Sequence, residues 1–245
     1  MEAAQIIRGA VSRVAELRDA QAARAPLGDA VVAIKALQSR RFSGTYDDLL
    51  RGGPYAAASR FFLEELYSAR DFTARDAQFA RIAGAIERLF PAVVAQTAVH
   101  LAQLHALTES LDHAMGAAWL GTNAQLTESA RYVAAWQHVA RREDRQMQLA
   151  DVLAIGGEMA LFTRTPGLRT MLRMMRAPAA AAGLAALQKF LETGFDTFAG
   201  IARADGARDF LRIIREREGA FIALLSDGPP AASAGQLAQT LGQAR

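Results

Sequence analysis

The chain has 245 residues, with 51% hydrophobic against 22% charged residues, a balance that excludes a disordered polymer. Fifty-four alanines against only 20 valines and isoleucines argue against a sheet protein, and the lack of cysteine excludes disulfides, thiolate metal sites and thiol nucleophiles. Lys and Arg number 28 against 25 Asp and Glu, a surplus of +3 that is too thin for phosphate-backbone binding unless the cations cluster.

The N-terminal segment carries Glu2, Arg8, Arg13 and Glu16, so no signal peptide is expected and the protein is read as cytoplasmic. Ile6, Ile7, Ala10, Val14 and Leu17 predict a first helix from about Ala3 to Ala23, broken by Pro26. A short second helix is expected over Gly28 to Leu37, then a turn at Arg40 to Tyr46 and a short helix through Leu49 and Leu50. Gly52-Gly53-Pro54 punctuates the chain, and Pro54 suits the first turn of a helix running to about Ser68. Thr73 to Asp76 has the form of a capping box opening the helix that carries Phe79, Ile82, Ala83 and Ile86.

A long helix is predicted from Pro91 to about Trp119. The stretch Leu89 to Thr108 is free of charge, but Pro91, Gln96, His100, Gln103 and His105 argue against a transmembrane span. Thr127 is expected to open a helix reaching past Arg142, followed by helix to Phe162 with a kink at Gly156-Gly157. Further helices are expected over Gly167 to Arg176, Gly183 to Ile201 and Ala207 to Leu225. The fold class is therefore all-α: a single-domain bundle of about eight to ten helices over 1–225. Asp227-Gly228-Pro229-Pro230 is read as a terminator, leaving 226–245 as a flexible tail.

The heptapeptide Phe61 to Tyr67, FFLEELY, resembles the signature of a family of uncharacterised bacterial proteins named for that motif. The neighbouring Arg41-Phe42, Thr45-Tyr46, Asp48-Leu49-Leu50, Asp71-Phe72 and Arg75-Asp76 are similar to that family's surroundings. So are Leu104-His105-Ala106-Leu107 and the segment from Gly183 to Glu192. The resemblance implies a helical protein and carries no activity, substrate or cofactor.

Motifs for a P-loop, a dinucleotide fold, a nucleophile elbow, a zinc protease or a di-iron bundle are absent. Three candidates remain. Glu65 falls about 60° from Phe62 on its helix, drawn partly into the apolar layer, while Glu64 faces water. A carboxylate there needs a partner or a proton, and a structural ion pair with an arginine is weighed against a functional role. On the long helix, His105 and Asp112 lie about 20° apart along the edge of the apolar stripe, with Glu109 a step outward. Such a set is a metal or proton-transfer candidate, or a hydrogen-bonded helix seam. Arg169, Arg173 and Arg176 share one face of a short helix, either an anion or membrane-surface site or a solvated face, with Met171, Met174 and Met175 nearby.

Two function classes follow. One is a non-enzymatic interaction or regulatory protein. The other is an enzyme or a metal- or cofactor-binding protein with a site between helices around Glu65, His105 and Asp112. A protein partner or a homo-oligomer is compatible with the sequence, specific nucleic-acid binding is not expected, and no cofactor is specified. Convergence of the candidate residues in space is what separates the two classes.

Overall fold

The computed structural model describes residues 2–65, 73–89, 92–201 and 206–244; side chains at 65, 74–75, 86–89 and 92–93 lie outside the described set. Helix α6, Ala92–Leu120, is the axis of the molecule. Its buried apolar residues point in more than one direction: Ala95, Ala98, Val99, Ala102, Leu104, Leu111 and Met115. A helix apolar on several sides is driven inside, where each face meets a different neighbour. No helix among the described residues is long and apolar enough to cross a membrane.

Three apolar clusters surround α6. Against its N-terminal half pack α1, Glu2–Ala22, and α5, Thr73–Leu89, through Ala4, Ile7 and Ala83. Small side chains there let the helices approach closely. Its C-terminal half meets α2, Ala25–Thr45, and α7, Glu128–Val139, through Ile34, Leu37, Tyr132 and Trp136. The third cluster joins the end of α2 to α4, Ala56–Glu65, α8, Arg142–Phe162, α11, Ala185–Ile201, and α12, Gly206–Asp227. Phe42, Tyr46, Phe62, Phe198 and Phe210 form its aromatic centre.

Several expectations hold at the level of single residues. Thr127 caps α7, its hydroxyl accepting from Ala130 N at 3.3 Å. Phe62 is buried and Glu64 exposed, as the helical phase requires.

Other expectations are corrected. The described residues form 13 helices, not eight to ten. The additions are the split of the expected 167–176 helix into α9, Leu168–Met174, and α10, Arg176–Ala181, and a helix at the C-terminus, while the short helix expected through Leu49 and Leu50 is the single turn α3, Asp47–Leu50. The turn expected at Arg40 to Tyr46 is instead mostly the last part of α2, because Phe42 and Tyr46 bury their rings on the same core. Helix α7 stops at Val139, where Ala140 takes φ 52°, a left-handed C-cap.

The largest correction concerns the C-terminus. Residues 230–243 form α13, Pro230–Gln243, docked on α2 and α7. Pro230 occupies the first turn, where its missing N–H costs nothing, so the Pro-Pro pair starts a helix instead of ending the fold. Ser233 donates to Leu224 O at 2.8 Å, and Leu237 is fully buried beside Tyr132 and Leu225. A methyl group on Gly44 would collide with the Thr240 carbonyl oxygen, so α13 sits on α2 at a contact only glycine permits. Leu237→Ala is expected to cost about 2–3 kcal/mol, at the low end for leucine because a terminal helix can shift to close the cavity. Urea unfolding at constant m-value measures it. A change near zero would return α13 to the status of a loose tail.

Candidate functional site

Leu101, Leu104, His105, Thr108, Glu109 and Asp112 recur at three- and four-residue spacing, so α6 presents them along one side. That side borders an internal cavity of about 160 Å³, walled also by α2, α5, α7, α8, α11 and α12. Its lining is part polar and part apolar, the latter including Phe79, Leu149, Phe190 and Leu191. Beside the apolar part lies a second cavity of about 50 Å³, lined by Phe61, Phe62 and Met159 and sharing Leu101, Leu104, Phe190 and Leu191 with the first. The two phenylalanines of the FFLEELY segment thus form the far apolar end of the site.

The polar part is a series of charge pairs. At one end, Asp76 of α5 meets Arg18 Nη2 at 2.9 Å and His105 Nε2 at 2.9 Å. Burial pushes the Asp76 carboxyl up, but the hydrogen bond from His105 and the charges of His105 and Arg18 outweigh it and hold Asp76 below its ordinary value. In the middle, Lys35 Nζ of α2 donates to Glu109 Oε1 at 2.6 Å. At the other end, Arg41 Nη1 donates to Glu218 Oε1 at 2.5 Å, and the Tyr46 hydroxyl donates to the same oxygen at 3.0 Å. Arg145 of α8 lies over the Trp136 ring, 4.4 Å from its centroid, and Gln148 donates to Thr108 Oγ1 at 2.7 Å.

Asp112 sits between these pairs and is 2% exposed. Burial pushes its carboxyl up; Lys35 and Arg145 oppose the shift, Glu109 adds to it, and a Gln38 hydrogen bond opposes it. Gln38 also donates to the Tyr132 hydroxyl at 3.4 Å. Glu109 Oε2 and Asp112 Oδ1 are fully enclosed by the protein and have no hydrogen-bond partner within it.

His105, Glu109 and Asp112 line one cavity, with their partners coming from other helices. His105 engages Asp76, Glu109 engages Lys35, and no group of three His, Asp or Glu among the described residues is arranged to hold a metal ion. The Glu65 side chain lies outside the described residues. Asp76, Lys35, Arg41, Tyr132, Arg145 and Glu218 were missed from the sequence. In the sequence Asp76 has the look of the third position of a capping box, and the others occupy helices whose neighbours only the tertiary fold supplies.

Comparison with protein families matches residues 17–232 to a domain of unknown function, DUF8198. The chain belongs to this family. The match agrees with the expected membership of an uncharacterised family, and it spans every residue of the cavity wall except Val11. No curated protein and no solved structure matches the chain.

In this DUF8198 member the arginines of α9 and α10 serve the fold. Arg176 forms a bidentate pair with Glu192 of α11, and Arg169 lies 3.5 Å from Glu192 and 2.6 Å from Asp196. They clamp α9 and α10 to α11, while Arg173 faces outward. Hydrogen bonds from Arg176 and Gln188 lower the Glu192 carboxyl to about 2 from 4.5. A depressed carboxylate stabilises the folded state above its unfolded pKa and loses that contribution as pH falls through the folded one. Glu192→Gln is therefore expected to lower the thermal midpoint at pH 7, with the gap from wild type closing as pH falls from about 4.5 toward about 2. Thermal melts of both proteins across that range check it. A gap that persists unchanged at pH 2 would remove the charge from the explanation.

Proposed function

We propose that the protein is a non-enzymatic, ligand-binding regulatory protein whose small-molecule site is the cavity along α6. The observation carrying this reading is the convergence of polar side chains from several helices, His105, Glu109 and Asp112 of α6 among them, on one cavity that also has an apolar lining. A pocket between helices that is apolar with a few converging polar groups is where a bundle holds a small molecule. Binding is favoured over catalysis because the ionisable groups are already committed: His105 to Asp76, Lys35 to Glu109 and Arg41 to Glu218. A general base or nucleophile needs a free lone pair facing substrate.

The cytoplasmic setting and the bacterial FFLEELY family belong to the same reading and rest on the sequence resemblance. Absence of specific nucleic-acid binding is supported by the pairing of surface arginines with carboxylates, as in Arg40–Glu128, Arg142–Asp227, Arg212–Glu216 and Arg217–Asp48. Cations neutralised in this way release few counterions on meeting a phosphate backbone.

The test is a thermal-shift screen of metabolite-sized compounds on wild type and on Ala102→Leu, which adds bulk to the cavity wall. Compounds that raise the wild-type midpoint by several degrees and leave Ala102→Leu unmoved support the site. If no compound shifts wild type, the ligand reading fails. The protein-interaction class then stands, supported by the exposed Leu161 and Met174 around the α8–α9 corner.

A further inference from the structure

We propose that the ligand of the cavity along α6 carries an unbranched aliphatic tail, and that the tail lies in the smaller cavity next to Leu101 and Leu104. The inference rests on the ligand-binding reading above and assigns the ligand's chemical class. Every residue that borders the smaller cavity is apolar or glycine. Phe61 and Phe62 reach it from α4, Ile155 and Met159 from α8, and Phe198 from α11. Water gains nothing there, because a buried water needs two to four polar partners. An apolar group gains most, since it exchanges contact with water for contact with packed side chains.

The two cavities are neighbours. Leu101 and Leu104 of α6, Val152 of α8, and Phe190 and Leu191 of α11 border both. A single layer of apolar side chains therefore stands between them. The larger cavity also has His105, Thr108 and Gln148 in its lining, so the polar end of the ligand belongs there and the tail points toward the phenylalanines. Gly194 of α11 keeps the smaller cavity open. A methyl group on it would sit 3.2 Å from Phe61 Cζ and 3.6 Å from the Met159 methyl. The Phe61 ring is stacked on Phe190 at 5.7 Å, which holds it in place, so a side chain at 194 would take its space from the cavity.

Volume separates a chain from a ring. A cavity on the order of 150 Å³ takes benzene. The larger cavity, about 160 Å³, has room for a body of that size, ring or chain. The smaller, about 50 Å³, is too small for a ring but takes the end of a chain. Only an unbranched tail can fill both.

The experiment is isothermal titration of the full chain with two pairs of alcohols, the members of each pair differing by two carbons. From linear hexanol to linear octanol the added methylenes enter the smaller cavity. Affinity is expected to rise about fifteenfold, the equivalent of roughly 0.8 kcal/mol per buried methylene. From cyclohexanol to dimethylcyclohexanol the added carbons widen a ring that already fills the larger cavity, and affinity is expected to change less than about twofold. Gly194→Ala, a substitution that favours the helix, should leave hexanol within about twofold of wild type and cut the octanol gain below about threefold. Equal gains for the two pairs, or an octanol gain that Gly194→Ala leaves intact, would overturn the tail assignment and leave the cavity a ligand site. If no alcohol binds while a compound from the metabolite screen does, the tail assignment falls alone. If neither the alcohols nor any screened compound binds, both readings fall. The wild-type pairs decide the matter even if Gly194→Ala does not fold.

Discussion

Phe62→Ala is expected to cost about 3–5 kcal/mol, the range for truncating a buried aromatic. The Phe62 ring lies 5.4 Å from Phe210 in an edge-to-face arrangement at 81° and 6.4 Å from Phe198. Such pairs add roughly 0.5–1.5 kcal/mol beyond area burial, so the loss falls on three helices at once. Phe62 also walls the small apolar cavity, and its removal would enlarge a space that α4, α8 and α11 hold open with packed side chains. Glu64→Ala, two residues on and exposed, is expected to change stability by no more than about 0.5 kcal/mol. Urea melts of the two variants measured together decide the matter. A mild Phe62→Ala would mean that the aromatic centre is not cooperative with the rest of the fold.

The contrast between Phe62 and Leu237 shows what was legible in the sequence. Phe62 stands in a periodic helix with apolar neighbours at three- and four-residue spacing, so its burial follows from helical geometry alone. Leu237 stands among Ala, Ser, Gly and Gln, where the pattern is faint, and its burial depends on the notch that Gly44 leaves on α2. A close approach made by the absence of a side chain leaves no apolar signal to read. The site divides in the same way. His105, Glu109 and Asp112 share one helix, and the 3.6-residue repeat placed them together. Asp76, Lys35 and Arg145 come from three other helices, the first two at sequence separations of 29 and 74 from their partners. Which charge faces which is then a product of tertiary packing, and Asp76 is the group that meets His105.

Arg41→Met is expected to be as damaging as Phe62→Ala, at about 3–5 kcal/mol, because it strips a buried carboxylate of its cation. Arg41 and Glu218 are both under 9% exposed, and Glu218 also accepts from Tyr46. The Arg41 guanidinium covers the Phe221 ring at 4.7 Å, so methionine keeps some packing but none of the charge. The double variant Arg41→Met with Glu218→Leu is expected to regain most of the loss, since an apolar pair of similar volume avoids both desolvation penalties. About 1 kcal/mol should remain, because Tyr46 loses its Glu218 acceptor. A double variant as unstable as Arg41→Met alone would show that the pair acts through shape and not charge.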